Sequence, residues 1–335
     1  MMCYEWGIKM KKRLILLGIM FFVTGISVLI TRQMEGTSMQ NKDSIQVVTS
    51  FYPMYIAALN LTDNVEQIEL SNLTENKGGC LHDYQLTTKD MKKLEYADVL
   101  ILNGGGMESF IDSVLEAYPD IKIINASEEV DLLENEEGHE HEHEEVHSIE
   151  EDIHSEEEHE GHNHGAWNGH VWMDPVRYEK QIQKISKELQ KIDKAHAKQY
   201  VENEKKYRTK IQKLEKELTT LEQKKLNENI IIFHDAFAYL ANRLGMNIVH
   251  QIDMDNDTSF SAGEVAEIID EMRENKVSIL LAEKQFSMAI PESIAKENKA
   301  KVVVIDSLVS GAMDKDAYID GMEENIRIMK QELTK

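Results

Sequence analysis

The sequence predicts an α/β protein of two small lobes with parallel sheets, joined by a long helical linker. Three observations carry that expectation. From Ser44 onward, short runs rich in Val and Ile alternate with helical stretches, the pattern of βαβ units and parallel sheets. After Asp174-Pro175 the alternation gives way to helix for nearly fifty residues, to about Lys225. From Asn229 the strand–helix pattern begins again.

In the first lobe, Ile45–Ser50 (IQVVTS) reads as a buried strand, Met54–Leu61 as a helix and Val65–Leu70 as a second strand. Thr87–Leu94 is a short helix capped by Thr87 or Thr88. Asp98–Leu102 is a third strand, Met107–Ala117 a helix and Ile121–Ile124 a fourth strand. Asp193 should break the linker. Its apolar spacing (Leu214, Leu218, Leu221) is too short and irregular for a coiled coil and fits a rigid connector. The second lobe reads as strand Asn229–Phe233, helix Ala236–Leu244, strand Asn247–Gln251 and helix Ala262–Asn275. It continues as strand Ser278–Ala282, helix Pro291–Asn298, strand Lys301–Ile305 and a last helix to Leu333. Ligand is expected in the cleft near the strand ends. The domain organisation is therefore 1–43, a signal or anchor and tether; 44–174, the first lobe; 175–227, the linker; and 228–335, the second lobe.

A chain of 335 residues, 41% hydrophobic, can bury two ordinary cores. Its net charge of −24 argues against nucleic acid, which requires a basic footprint. Residues 134–164 hold fourteen carboxylates, no Lys or Arg, and eight of the thirteen histidines. This tract, inside a loop spanning 134–167, has almost nothing to bury and is expected to be disordered without metal. Only two cysteines occur, Cys3 and Cys80, which excludes a disulfide framework and a Cys₄ zinc site. Leu14–Ile30 is an uncharged apolar run preceded by Lys9, Lys11, Lys12 and Arg13, the pattern of an export signal. No Cys stands at its end to take an acyl anchor and no clean cleavage site follows either. An uncleaved N-terminal membrane anchor is expected, with a cleaved signal as the alternative and Met10 as an alternative start.

Several motif matches are declined. His139-Glu140-x-x-His143 and His143-Glu144-x-x-His147 satisfy the zinc-protease pattern, but in a tract where His and Glu alternate such matches arise by chance. Asp253, Asp255, Asp257 and Glu264 have EF-hand spacing, yet Thr258 replaces the turn glycine. Ser261-x-x-Glu264 reads better as a helix capping box. Gly104-Gly105-Gly106 follows a strand but lacks the third glycine of a dinucleotide fingerprint, and reads as a tight turn.

Three histidines outside the tract share one setting. His82 lies in a loop between strand and helix, His170 (NGHVWMDP) just before the linker, and His234 (IIFHDAF) where an apolar strand opens into a helix. Side chains at such junctions project into the cleft, and three imidazoles beside a His-rich acidic loop point to metal. Zinc takes His₃ plus one oxygen as a common set. Asp306, after KVVVI, occupies the matching junction of the second lobe. His196, mid-helix among lysines, and His250, within a strand, read as structural or solvent-facing.

At these residues the chain resembles the zinc and manganese solute-binding proteins of ABC uptake transporters, over about residues 45–332. VVTSFYPMY (47–55), GGMESFI (105–111), NGHVWMDP (168–175), FHDAFAYLANRLGM (233–246), AEKQFS (282–287) and VVVIDSL (302–308) are similar to successive family motifs. The resemblance implies two α/β lobes bridged by a long helix, limited hinge motion, and metal at the lobe interface. It implies His82, His170 and His234 as imidazole ligands, with Asp306 at a carboxylate position that some members leave to water. Histidine at 234, where manganese-type members tend to carry glutamate, favours Zn²⁺ over Mn²⁺, as does the His-rich loop. The first-ligand loop departs from the common pattern at Gln85-Leu86-Thr87, and Cys80 offers an alternative thiolate.

The expected function is capture without chemistry. A monomer tethered outside the cell membrane would bind zinc and present it to an ABC permease, with the His-rich loop as a weak collector. Binding should release protons and weaken below about pH 6. A zinc hydrolase with Glu283 as base is the rival from another class, and a surface adhesin or metal buffer is the third reading.

Overall fold

Among the described residues each lobe is built on four parallel strands, and the two sheets repeat one topology. In the first, β1 (Ile45–Thr49) lies between β2 (Ile68–Asn72) and β3 (Val99–Leu102), and β4 (Lys122–Asn125) pairs with β3. In the second, β5 (Asn229–Ile232) lies between β6 (Asn247–Gln251) and β7 (Ile279–Glu283), and β8 (Lys301–Ile305) pairs with β7. In both, the first strand of the lobe sits inside the sheet, the topology that places ligands beyond the C-terminal strand ends. The structure, a computed structural model, describes residues 44–75, 84–135, 166–226, 228–252, 254 and 260–333. The Leu14–Ile30 run, His82 and Cys80, the histidines of the acidic tract, and Asp253, Asp255 and Asp257 lie outside them. Among the described residues no helix is long and apolar enough to cross a membrane.

The helices of the first lobe are α1 (Tyr52–Leu61), α2 (Thr88–Glu95) and α3 (Ile111–Ala117). Thr87 and Asp90 close a reciprocal capping box at the start of α2. The helices of the second lobe are α6 (Ala238–Leu244), α7 (Ala262–Glu274), α8 (Ala289–Asn298) and α9 (Ala317–Leu333). Ser261 and Glu264 form the capping box of α7, as their spacing suggests.

Strand residues divide their side chains between two apolar layers because successive side chains point to opposite faces. Val47, Ile230 and Ile232 join one core that runs through both lobes. Val48 packs into a separate layer on the far face of the first sheet, and Ile231 does so in the second. Both faces are therefore covered, which is why these strands read as unbroken apolar runs.

The linker differs from a single rod. It is a hairpin of two helices, α4 (Pro175–Ile192) and α5 (Ala197–Glu222). Asp174 caps the first by accepting from the N–H of Val176, and Asp193 ends it. The chain then folds back, so Arg208 of α5 reaches Glu179 of α4, with Nε to Oε1 at 2.8 Å. Buried Tyr178 and Tyr207 stack edge to face between the helices, ring centroids 6.4 Å apart. His196 therefore begins α5 instead of lying mid-helix, its Nδ1 2.8 Å from Asp193 Oδ2.

Two further boundaries moved. Strand β2 starts at Ile68, after Gln67 turns the chain with φ +59°. Helix α3 starts at Ile111; the carboxylate of Glu108 turns back to the N–H groups of Asn103 and Gly104, and a turn at 109–110 leads into the helix.

Candidate metal site

Two of the junction histidines meet between the lobes. His170 leads through a short 3₁₀ turn, Val171–Met173, into the cap of α4; His234 leaves β5 and opens the 3₁₀ turn Asp235–Phe237 that runs into α6. Both side chains are buried, and their rings stand edge to face with centroids 5.1 Å apart.

Buried hydrogen bonds tie the two segments together. Asn168 Nδ2 donates to the carbonyl of Asp235 at 2.9 Å. Tyr239 Oη, one turn further along α6, donates to the carbonyl of Asn168 at 2.7 Å. Trp172 Nε1 donates to the Ser307 carbonyl at 2.7 Å, which brings the end of β8 against the same segment. None of these donors or acceptors could lose its partner without leaving a buried polar group unsatisfied.

The ring nitrogens are held by carboxylates and an amide. His170 Nδ1 lies 3.2 Å from Asn168 Oδ1 and 3.3 Å from Asp235 Oδ2. His234 Nδ1 lies 3.3 Å from Glu283 Oε2, and its Nε2 lies 3.5 Å from Asp235 Oδ1. Two carboxylates and two imidazoles in a buried pocket walled by Trp172, Phe237 and Phe286 favour a cation. His170, His234 and Asp235 offer ligand atoms that all lie within 4.8 Å of one another.

The expected residues fare differently. His170 and His234 converge, while His82 is outside the described residues. Asp306 stands at the end of β8 but outside the cluster: Oδ1 accepts from the Leu308 N–H at 2.9 Å and Oδ2 faces Lys284 Nζ at 3.3 Å. Asp235, which the sequence did not single out, lies beside both rings. It stands one residue past the strand end that presents His234, and nothing in the sequence shows that its side chain turns toward a ring of the other lobe. His250 lies in β6 with Nδ1 2.7 Å from Glu271 Oε2, away from the cluster. Glu283 is held by the backbone: Oε1 accepts from the Gln285 N–H at 3.2 Å and Oε2 from that of Ser307 at 3.0 Å.

Residues 47–332 match the family described as zinc-uptake complex component A, periplasmic. The chain is 30% identical over 311 residues to the high-affinity zinc uptake system protein ZnuA of Bacillus subtilis strain 168, covering 89% of this chain and 91% of the relative. The solved structure of the metal-dependent lipoprotein YcdH of Bacillus subtilis is similar with a TM-score of 0.67 at 26% identity, over 87% of this chain and all of that one. Zn(II)-bound AdcA of Streptococcus pneumoniae superposes with a TM-score of 0.69 at 24% identity, over 87% of this chain and 58% of that one.

Proposed function

The chain belongs to the zinc-uptake complex component A family, and from that premise we propose that it captures Zn²⁺ outside the cytoplasm and hands it to an ABC-type permease. The family consists of solute-binding proteins, not enzymes. Zinc is the cargo, and no bond is made or broken in it. The observation that carries the reading is the convergence of His170 and His234, one from each side of the lobe interface, onto a pocket already lined by carboxylate.

The proposed ligands are His82, His170 and His234, with Asp306 or water in the fourth position. For His170 and His234, Nε2 is the nitrogen assigned to zinc. Their Nδ1 atoms face Asp235 and Asn168 in one case and Glu283 in the other, which fixes tautomer and ring orientation. Asp235, the one carboxylate of the cluster that faces both rings, supports this arrangement and offsets the metal's charge. Imidazole must be neutral to ligate, so capture releases protons and fails as histidines charge. Because one apolar core runs through both lobes, release is expected to involve small shifts near the cleft. The N-terminal apolar run would tether the monomer to the membrane surface, and the His-rich tract would raise the local zinc concentration.

Zinc uptake by a strain lacking the gene, measured beside turnover of generic ester and peptide substrates by the pure protein, tests the reading. Loss of uptake at scarce zinc without turnover is expected; hydrolysis with unchanged uptake would overturn it.

A further inference from the structure

A buried polar clamp from the first lobe grips the residue before His170. The Gly169 carbonyl accepts from Asn103 Nδ2 at 2.7 Å, and Asn103 is fully buried. That amide is fixed in orientation, since its Oδ1 accepts from Gln181 Nε2 of α4 at 2.9 Å. The backbone N–H groups of Asn103 and Gly104 donate to the two oxygens of buried Glu108, at 2.7 and 3.0 Å.

The glycines that follow Asn103 complete the clamp. Gly104, Gly105 and Gly106 have φ of +80°, +67° and +83°, a region that side chains disfavour. A Cβ on Gly105 would stand 3.3 Å from Gly169 Cα. A Cβ on Gly169 would meet Met107 Cε at 3.0 Å and the Gly105 carbonyl oxygen at 3.4 Å. Two backbones thus touch with no side chain between them, one residue from His170.

We propose that Asn103 and the Gly104–Gly106 turn are positioning elements for metal capture, holding Gly169 so that His170 enters the cluster in a fixed place. The proposal rests on His170 being a ligand, as assigned above. It gives the glycine run a role in backbone approach, where no phosphate cradle is needed. Residues that orient a metal ligand from behind are typically worth about 10- to 100-fold in affinity.

The test uses Asn103→Ser, which shortens the donor, and Gly169→Ala, which removes no hydrogen bond and adds one methyl group at the contact. Each is titrated with zinc against a chromophoric chelator and with Co²⁺, whose visible absorption reports ligand geometry, and melted without metal. Zinc affinity lower by about 10- to 100-fold, with a changed Co²⁺ spectrum and a retained metal-free fold, is the expected result. Unchanged affinity and spectrum in the folded variants would overturn the proposal, whatever happens to metal-free melting. If Asn103→Ser does not fold, Gly169→Ala decides by the same criteria. Wild-type protein that takes up neither ion would overturn the functional reading, and this inference with it.

Discussion

Glu283→Ala separates holding a ligand from holding the fold. The side chain is 1% exposed, and its Oε2 serves both the Ser307 N–H at 3.0 Å and His234 Nδ1 at 3.3 Å. Truncation removes the Glu283 carboxylate that faces His234 Nδ1, and loss of such a group weakens metal binding about 10- to 100-fold, about 1.4–2.7 kcal/mol. It also strands the N–H of Ser307, which is fully buried, at about 1–3 kcal/mol of stability. The Gln285 N–H is partly exposed, so water can replace its partner at small cost. At about 2.1 cal/mol/K of unfolding entropy per residue, each kcal/mol lowers the melting temperature of a chain of 335 residues by about 1–2 °C. Competition titration with zinc gives the first quantity and metal-free thermal unfolding the second. Both should fall. If the metal-free protein melts lower but its zinc affinity equals that of the wild type, Glu283 only supports the backbone of Ser307, and the orientation argument for His234 is refuted.

His234→Ala should weaken zinc binding by about 3 kcal/mol, taking the ~10–16 kcal/mol of a four-ligand site as shared among its donors. Asp306→Ala should cost less, because water can take its place and the carboxylate already faces Lys284; calorimetry giving equal losses would make Asp306 an obligate ligand. Excising residues 136–165 should preserve both lobes and one tight zinc site, since the Asn135 N–H already bonds the Ala166 carbonyl at 3.1 Å across the gap. Loss of the tight site from a deletion protein that is folded by circular dichroism would place a primary ligand in the tract. Burial raises the Asp90 carboxyl, but the Thr87 hydroxyl and N–H and the Tyr84 phenol outweigh it and hold it below the usual range. Asp90→Ala should therefore lose about 1 kcal/mol of capping at neutral pH. That deficit should persist above about pH 4 and shrink as pH falls below it, read by urea unfolding; a deficit independent of pH would show that the charge plays no part.

The lobes were legible in the sequence because the strands are buried on both faces and read as Val- and Ile-rich runs such as VVTS and NIII. The linker was legible as helix but not as a hairpin. Helical spacing records which face is apolar, whereas the fold-back depends on Arg208 finding Glu179 and on Tyr178 meeting Tyr207, contacts between residues far apart in sequence. His170 and His234 were legible because each stands where a helical turn begins at the lobe interface. Asp235 was not, because adjacency in a sequence does not reveal that one carboxylate can turn toward both its neighbour's ring and a ring from the other lobe. The role of the glycine run was hidden for the same reason: its partner, Gly169, is more than sixty residues away, and only the folded chain brings them together.

The central claim is that this interface holds zinc in preference to manganese. Competition titration of the purified protein with zinc, against a chelator and in the presence of excess manganese, tests it most directly. One tight zinc equivalent per chain, not displaced by manganese and lost in His170→Ala, is the predicted result. Preferential retention of manganese, or a tight zinc site indifferent to His170, would contradict it.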